Sequence, residues 1–431
     1  MPRTKTVALI FSSFFLEKNE AKKASFLSNR SAYKGVRNDK AHIRVINGGF
    51  VYMYVYKLGS ISDKKKALKV LGVESGGVGI MAKKMELLYF FIKDLKTPAA
   101  NILKQDALSI GADLAVPGGV ILCEKEVYDC ILIGTRKHME ILSRKELAQP
   151  FGLKTVATEL KKFLAIKNSA SQIMGVINAN DDSFFEGSRF QKEDAITQIK
   201  QMISDGADII DIGAVSSRPN AESVSELVEL GRMKPICDAI ASEKLYEQVI
   251  FSVDSSSPSI VEYALKSGFT LVNDITGASD EAIIKLAVKY DAKLCIMHMQ
   301  GNPQTMQNNP SYDDVMVEIS NFFEERIAKC EALGLERKNI ILDVGIGFGK
   351  TLEHNITLIK NMEHFKVFAC EVLIGASRKS MIDKIISTPV EERLAGTLAI
   401  HLKAVENGAS IVRCHDVKEH VQALAVADSL K

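Results

Sequence analysis

The sequence predicts an α/β protein: a (β/α)8 TIM barrel in the C-terminal part, about 260 residues long, preceded by a smaller mixed α+β domain. Three observations lead there. From residue 171 onward eight short apolar runs recur, most of them followed by a stretch with helical spacing. The runs are apolar nearly throughout instead of alternating, as strands buried on both faces of a parallel sheet are. Eight such runs fit a closed barrel, whereas an open doubly wound sheet needs fewer strands and usually shows a nucleotide fingerprint.

Taken in order, residues 1–48 are expected to be a basic, poorly ordered extension. Residues 1–44 carry ten Lys/Arg against Glu17, Glu20 and Asp39. The apolar run Val7–Leu16 follows Arg3 and Lys5 like a secretory leader, yet Glu17-Lys18-Asn19-Glu20 comes next with no small-x-small cleavage site. Residues 49–168 are expected to form the small domain. FVYMYVYKLG (50–59) has strand composition, while SDKKKALKVLG (62–72) and KKMELLYFFIKDL (83–95) have helical spacing. The glycines of ESGGVGIM (74–81) read as turn formers, because GGVG matches no phosphate-loop spacing and lacks the Lys-Ser/Thr ending. Residues 107–124 suggest strand, turn and strand, 129–147 strand then helix, and 150–169 a closing helix and linker. None of this half carries recognisable chemistry.

Residues 169–431 hold the barrel. Its strands are IMGVIN (173–178), DIIDIG (208–213), VIFSVD (249–254), TLVNDI (270–275), KLCIMH (293–298), NIILDV (339–344), VLIGAS (371–376) and ASIVRC (409–414). Helices are expected over 193–206, 259–268, 280–290 and 393–408, three of them stopping at a glycine.

Composition narrows the function classes. Of 431 residues 46% are apolar and 25% charged, which is ordinary globular usage. A net charge of +2 leaves no global nucleic-acid footprint, and no apolar run approaches the roughly 18 residues of a bilayer span. Seven scattered cysteines make neither a disulfide framework nor metal-ligand spacing. A reduced, cytoplasmic protein is expected.

The chemistry gathers where a barrel puts it, at the C-terminal strand ends. They finish in Asn178, Asp211, Asp254, Asn273-Asp274, His298, Asp343, Ser377-Arg378-Lys379 and Arg413-Cys414-His415. One polar residue after a strand is ordinarily a cap or turn former; polar ends on all eight indicate a pocket, with carboxylates and amides on one side and cations on another. Lys379, Arg413 and His415 follow strands seven and eight, a common phosphate site in barrels. Asp254, Asp343 and Asn273 suit a flat heterocycle rich in N–H donors, since ionised Asp only accepts. GIGFGKT (345–351) is no phosphate loop of the Walker type, because Val344 stands where its first glycine is needed.

These same blocks carry a resemblance. IMGVINANDDSFFEGSRF (173–190) and DIIDIGAVSSRP (208–219) resemble the two signatures of the dihydropteroate synthase family. The likeness continues in order through SVDS (252–255), VNDITG (272–277), MHMQGNPQTMQ (297–307), ILDVGIGFGKTLEHN (341–355), IGASRKSMI (374–382) and RCHDV (413–417). It implies condensation of 7,8-dihydropterin-6-ylmethyl diphosphate with para-aminobenzoate, by a homodimer that is a target of sulfonamides. It further implies that Asp254, Asn273, Asp343 and Lys379 hold the pterin. Asn178, Arg413 and His415 would hold the diphosphate, with Mg2+ beside Asn178, and Ser217, Arg218 and Ser380 would help form the para-aminobenzoate and phosphate-proximal region. Asp254, Asp343, Lys379 and Asp182 are the catalytic candidates. The chain departs from the pattern at Asn180, Asp181, Ala214, Val215, Asn220 and Val344. Two alternatives therefore stay open: a pterin-binding methyltransferase-like domain and a non-catalytic pterin-binding scaffold.

Overall fold

The computed structural model describes residues 44–46, 49–51, 55, 57–58, 61, 63–166, 170–179, 192–215 and 224–430. The chain divides into two units, Met1–Ile61 and Ser62–Lys431. In the first, β1 (Arg44–Ile46) pairs antiparallel with β2 (Gly49–Val51). The basic leader and most of the strand expected over 50–59 lie outside the described residues.

The second unit begins with α1 (Lys64–Val70), α2 (Ser75–Lys84), β3 (Leu87–Lys96), α3 (Thr97–Leu108), β4 (Asp113–Ala115), β5 (Val127–Thr135), α4 (Arg136–Lys145) and α5 (Leu153–Leu164). The three strands form an antiparallel sheet in the order β3-β5-β4. Three expectations are corrected here. Of the strand, turn and strand expected over 107–124, only Asp113–Ala115 is a strand: 107–108 close α3, and 118–123 are turns. The helix read over 83–95 is for the most part β3, whose Leu88, Phe90 and Ile92 pack on the small core while Leu87, Tyr89 and Phe91 stay exposed. With both faces apolar the run also matches helical spacing, and the period-2 alternation that decides the matter is hidden. The turn glycines of 74–81 lie in α2, where burial of Val78 and Ala82 against Leu68 offsets a helix penalty of about 1 kcal/mol per glycine.

The barrel is closed and parallel: β6 (Gln172–Asn178), β7 (Ile209–Gly213), β8 (Ile250–Asp254), β9 (Leu271–Asp274), β10 (Lys293–Met297), β11 (Ile340–Asp343), β12 (Glu371–Ile374) and β13 (Ile411–Cys414), with β13 pairing back to β6. Around it run α6 (Lys192–Asp205), α7 (Glu226–Ser242), α8 (Pro258–Lys266), α9 (Glu281–Lys289), α10 (Val315–Ala332), α11 (Leu352–Lys360), α12 (Ser380–Ile385), α13 (Leu394–Glu406) and α14 (Val417–Ser429). The glycine stops at Gly206, Gly268 and Gly408 have φ of 101°, 99° and 109°, the left-handed geometry that ends a helix. The small sheet attaches through α5, which packs on the 3-10 turn Met362–Phe368, and through the Lys93–Asp314 ion pair at 3.1 Å. No described helix is long and apolar enough to cross a membrane.

The interior of the barrel positions the site. Met174, Ile209, Ile250, Leu271, Cys295, Ile341, Leu373 and Ile411, one from each strand, form an apolar plug. Because side chains alternate along a strand, the residues two positions on face inward again. They are Val176, Asp211, Ser252, Asn273, Met297, Asp343, Gly375 and Arg413. The period-2 step turns apolar strands into a polar floor.

Candidate active site

Asp211 and Asn273 are buried, and Arg413 lies across them. Arg413 Nε donates to Asp211 Oδ2 at 2.6 Å, Arg413 Nη2 to Asp254 Oδ2 at 2.7 Å, and Asn273 Nδ2 to Asp211 Oδ2 at 3.0 Å. The expected separation of carboxylates from cations is therefore corrected: Arg413 sits among the carboxylates. Asp211 is 0% exposed, and a carboxylate that deep needs a paired cation. Burial opposes the charge on Arg413, but Asp211 and Asp254 outweigh it and raise the guanidinium further. Burial likewise pushes Asp254 up to about 7, with Arg413 pulling the other way. Asp211 Oδ1 and the neighbouring Ser252 Oγ are buried with no partner among the described residues.

Asp343 and Lys379 form the second part. Asp343 Oδ1 accepts from the Gly345 N–H at 2.8 Å, and burial raises its carboxyl against the pull of Lys379. Lys379 is half-buried, donates to the Ile346 carbonyl and lies 4.4 Å from the centre of the Phe348 ring. Burial lowers its ammonium to about 8, with Asp343 opposing. The loop that carries these contacts crowds onto the end of β10. A Cβ on Gly345 (φ 66°) would lie 2.0 Å from the His298 carbonyl, so only glycine fits. Lys350 fastens the loop: its Nζ lies 3.0 Å from His298 Nδ1, 3.2 Å from the His298 carbonyl and 2.9 Å from the Phe348 carbonyl. Burial depresses both groups, Lys350 to about 7 and His298 to about 3. Two carbonyls and a neutral imidazole give an ammonium three acceptors, so the geometry favours a charged Lys350.

On the remaining side, His415 Nδ1 lies 2.9 Å from Ser377 Oγ, and the His415 N–H donates to the same oxygen at 3.3 Å. Asn178 is half-buried at the end of β6 and Ser380 is exposed at the first residue of α12. Two strand-end residues prove structural. Asp274 caps its own turn through Thr276 and Ala278, and Arg378 forks onto Asp416 at 2.7 and 3.1 Å. Asp182, Ser217 and Arg218, like Asn180, Asp181 and Asn220, lie outside the described residues. Ala214 and Val344 are buried and Val215 half-buried. Among the described residues no group of three or more His, Cys, Asp and Glu could hold a metal. Asn178 offers one amide oxygen, which suits Mg2+, an ion that keeps several waters and takes substrate phosphates as ligands.

Sequence reasoning missed two residues. Asp211 was visible only as a strand-end carboxylate, although a charge inside an apolar run is itself a signal. Lys350 carried no signal: its partner His298 is legible as a polar strand end, but their meeting depends on two loops closing together.

Comparison with known proteins gives concordant results. Residues 174–415 match the family described as pterin binding enzyme. A bifunctional dihydropteroate synthase/dihydropteroate reductase of Helicobacter pylori is 41% identical over 368 residues, 85% of this chain and 96% of that protein. The dihydropteroate synthase of Escherichia coli is 41% identical over 262 residues, 61% of this chain and 92% of that protein. Among solved structures, the dihydropteroate synthase of Yersinia pestis in a sulfonamide drug complex superposes with a TM-score of 0.59 at 37% identity, covering 62% of this chain and 96% of that one.

Proposed function

The chain belongs to the dihydropteroate synthase family of pterin-binding enzymes and carries out that family's transfer reaction, and we propose here how its own residues perform it. The reaction joins 7,8-dihydropterin-6-ylmethyl diphosphate to para-aminobenzoate, giving 7,8-dihydropteroate and diphosphate. The carrying observation is the polar floor above the apolar plug, with acceptors at Asp211, Asp254 and Asp343 and cations at Lys379 and Arg413. The methyltransferase-like and scaffold alternatives are not favoured, since the relatives are named as synthases.

Asp254, Asn273, Asp343 and Lys379 bind the pterin, whose ring amide and amino group present N–H donors to carboxylates that only accept. Arg413 and His415 bind the diphosphate with Asn178, and oriented cations stabilise the charge that grows on it as the C–O bond breaks. Mg2+ held with Asn178 would supply further neutralisation of that charge. Asp254 and Asp343 favour the positive charge left on the pterin methylene. Attack by the arylamine then needs mainly alignment and dryness, for which Ser217, Arg218, Ser380 and Asp182 are the candidates the family resemblance supplies. We place the reaction in the cytoplasm and expect a homodimer. Mixing both substrates with the purified chain and Mg2+ should release diphosphate in an arylamine-dependent manner. Pterin binding without that release would overturn the reading.

The alkaline limb of the rate profile should belong to Lys379. Its charge is lost as pH rises through about 8, so kcat/KM should fall above that pH. Lys379→Arg keeps its charge beyond pH 12; the limb should then move up by at least about 2 pH units, at reduced activity. An unmoved limb would clear Lys379 of the titration.

A second reading concerns the rest of the chain. The Helicobacter pylori relative aligns over 368 residues, against 262 for the Escherichia coli synthase, so the likeness extends well beyond the barrel. A dihydropteroate reductase activity is proposed on that ground. A donor of the nicotinamide or flavin class would give a hydride to C6 of the product and solvent a proton to N5. Dihydropteroate-dependent oxidation of the reduced donor is the test.

A further inference from the structure

His401 on α13 and His420 on α14 are each 1% exposed, and their rings meet with Nδ1 of His401 2.8 Å from Nε2 of His420. The two outer ends of the pair are backbone groups. His401 Nε2 receives the Ala376 N–H at 3.0 Å, and His420 Nδ1 lies 2.6 Å from the Asp416 carbonyl. An N–H can only donate and a carbonyl can only accept, so every proton in the chain is fixed. Neutral His401 carries its proton on Nδ1 and gives it to His420 Nε2; His420 carries its own on Nδ1 and gives it to Asp416. The relay has one direction and no spare proton.

Its ends lie beside the groups assigned to the diphosphate. Ala376 precedes Ser377, Arg378 and Lys379, and Asp416 follows Arg413, Cys414 and His415. The same two loops are bridged by the Arg378–Asp416 fork and by the Ser377–His415 bond, while Thr397 of α13 holds the first of them, its Oγ1 accepting from the Arg378 N–H at 2.9 Å. The pterin floor is held by other bonds: Arg413 donates to Asp211 and Asp254, Asn273 donates to Asp211, and the Gly345 N–H donates to Asp343.

We propose that His401 and His420 are positioning residues, a buried directed relay that sets the spacing of the loops after β12 and β13 and so aligns Ser377 and His415 on the diphosphate. The proposal rests on the assignment of that side of the site to diphosphate. His401→Leu removes both ring contacts, leaving the Ala376 N–H without its acceptor. Competitive inhibition by inorganic diphosphate should weaken at least about tenfold and the KM for the pterin diphosphate should rise alike. Binding of 6-hydroxymethyl-7,8-dihydropterin, which has no phosphate, should change less than about twofold. His420→Gln keeps an acceptor and a donor and should restore diphosphate inhibition to within about threefold of the parent. Should H401L not fold, His420→Met cuts the relay at its other member and carries the same expectation.

Equal weakening of both ligands, or unchanged diphosphate inhibition in a folded H401L or H420M, would overturn the relay. A parent enzyme that diphosphate does not inhibit would instead remove the diphosphate assignment, and the relay with it.

Discussion

Asp343→Asn should lower kcat/KM for the pterin diphosphate by about a thousandfold while leaving the fold intact. The substitution keeps the shape of the side chain and removes its charge. Asp343 is buried above Ile341 of the plug, with one oxygen taken by the Gly345 N–H. On the proposed assignment an amide there would put an NH2 donor against the N–H donors of the pterin. Each lost charge-assisted bond is worth about 1.5–3 kcal/mol, and two of them amount to about 4 kcal/mol, or three powers of ten in rate. Stability should move little. Burial already raises this carboxyl, so trading it for a neutral group relieves desolvation as it gives up the attraction of Lys379. Kinetics of diphosphate release with a thermal melt check both halves. A folded variant losing less than tenfold would remove Asp343 from pterin binding.

Much of this site was legible in the sequence because a parallel barrel writes its geometry locally. Strand ends are marked by the switch from apolar to polar residues, and the step from Ile341 to Asp343, or from Ile411 to Arg413, gives the layer by counting twos. What counting cannot give is which polar groups pair across the floor. Arg413 and Asp211 are 202 positions apart and meet because β13 closes back onto β6 beside β7. The sequence therefore suggested cations facing carboxylates across a pocket, and burial of Asp211 drew them together. The small sheet was less legible for a different reason. β3 is apolar on both faces, so the periodicity that separates strand from helix is blurred, and the run fits helical spacing as well.

Pairing across the floor makes Arg413→Ala the second large effect, and one that falls on stability as well as rate. Removing the guanidinium leaves Asp211 with only Asn273 and Asp254 without its bond at 2.7 Å. Breaking a buried pair on one side costs about 3–5 kcal/mol, a fall of roughly 3–6 °C in melting temperature for a chain of this size. The loss should depend on pH with a definite sign. Burial already lifts Asp254 to about 7 while Arg413 resists, so without Arg413 its folded pKa lies higher still. A carboxyl raised on folding adds stability below its unfolded pKa and loses it as pH rises through the folded value. The variant should accordingly be closest to the parent near pH 5 and furthest from it above pH 7. Arg413→Lys restores a charge without the fork and should recover part of the stability, because one ammonium cannot reproduce the guanidinium's paired bonds to Asp211 and Asp254. Rate should fall by at least about a thousandfold in the alanine variant, as the alignment of Asp254 is lost together with the cation proposed for the diphosphate. Melts of all three proteins between pH 5 and 8 are the measurement. A stability loss independent of pH would mean that Asp254 does not carry the cost and that the floor is held by something other than this pairing.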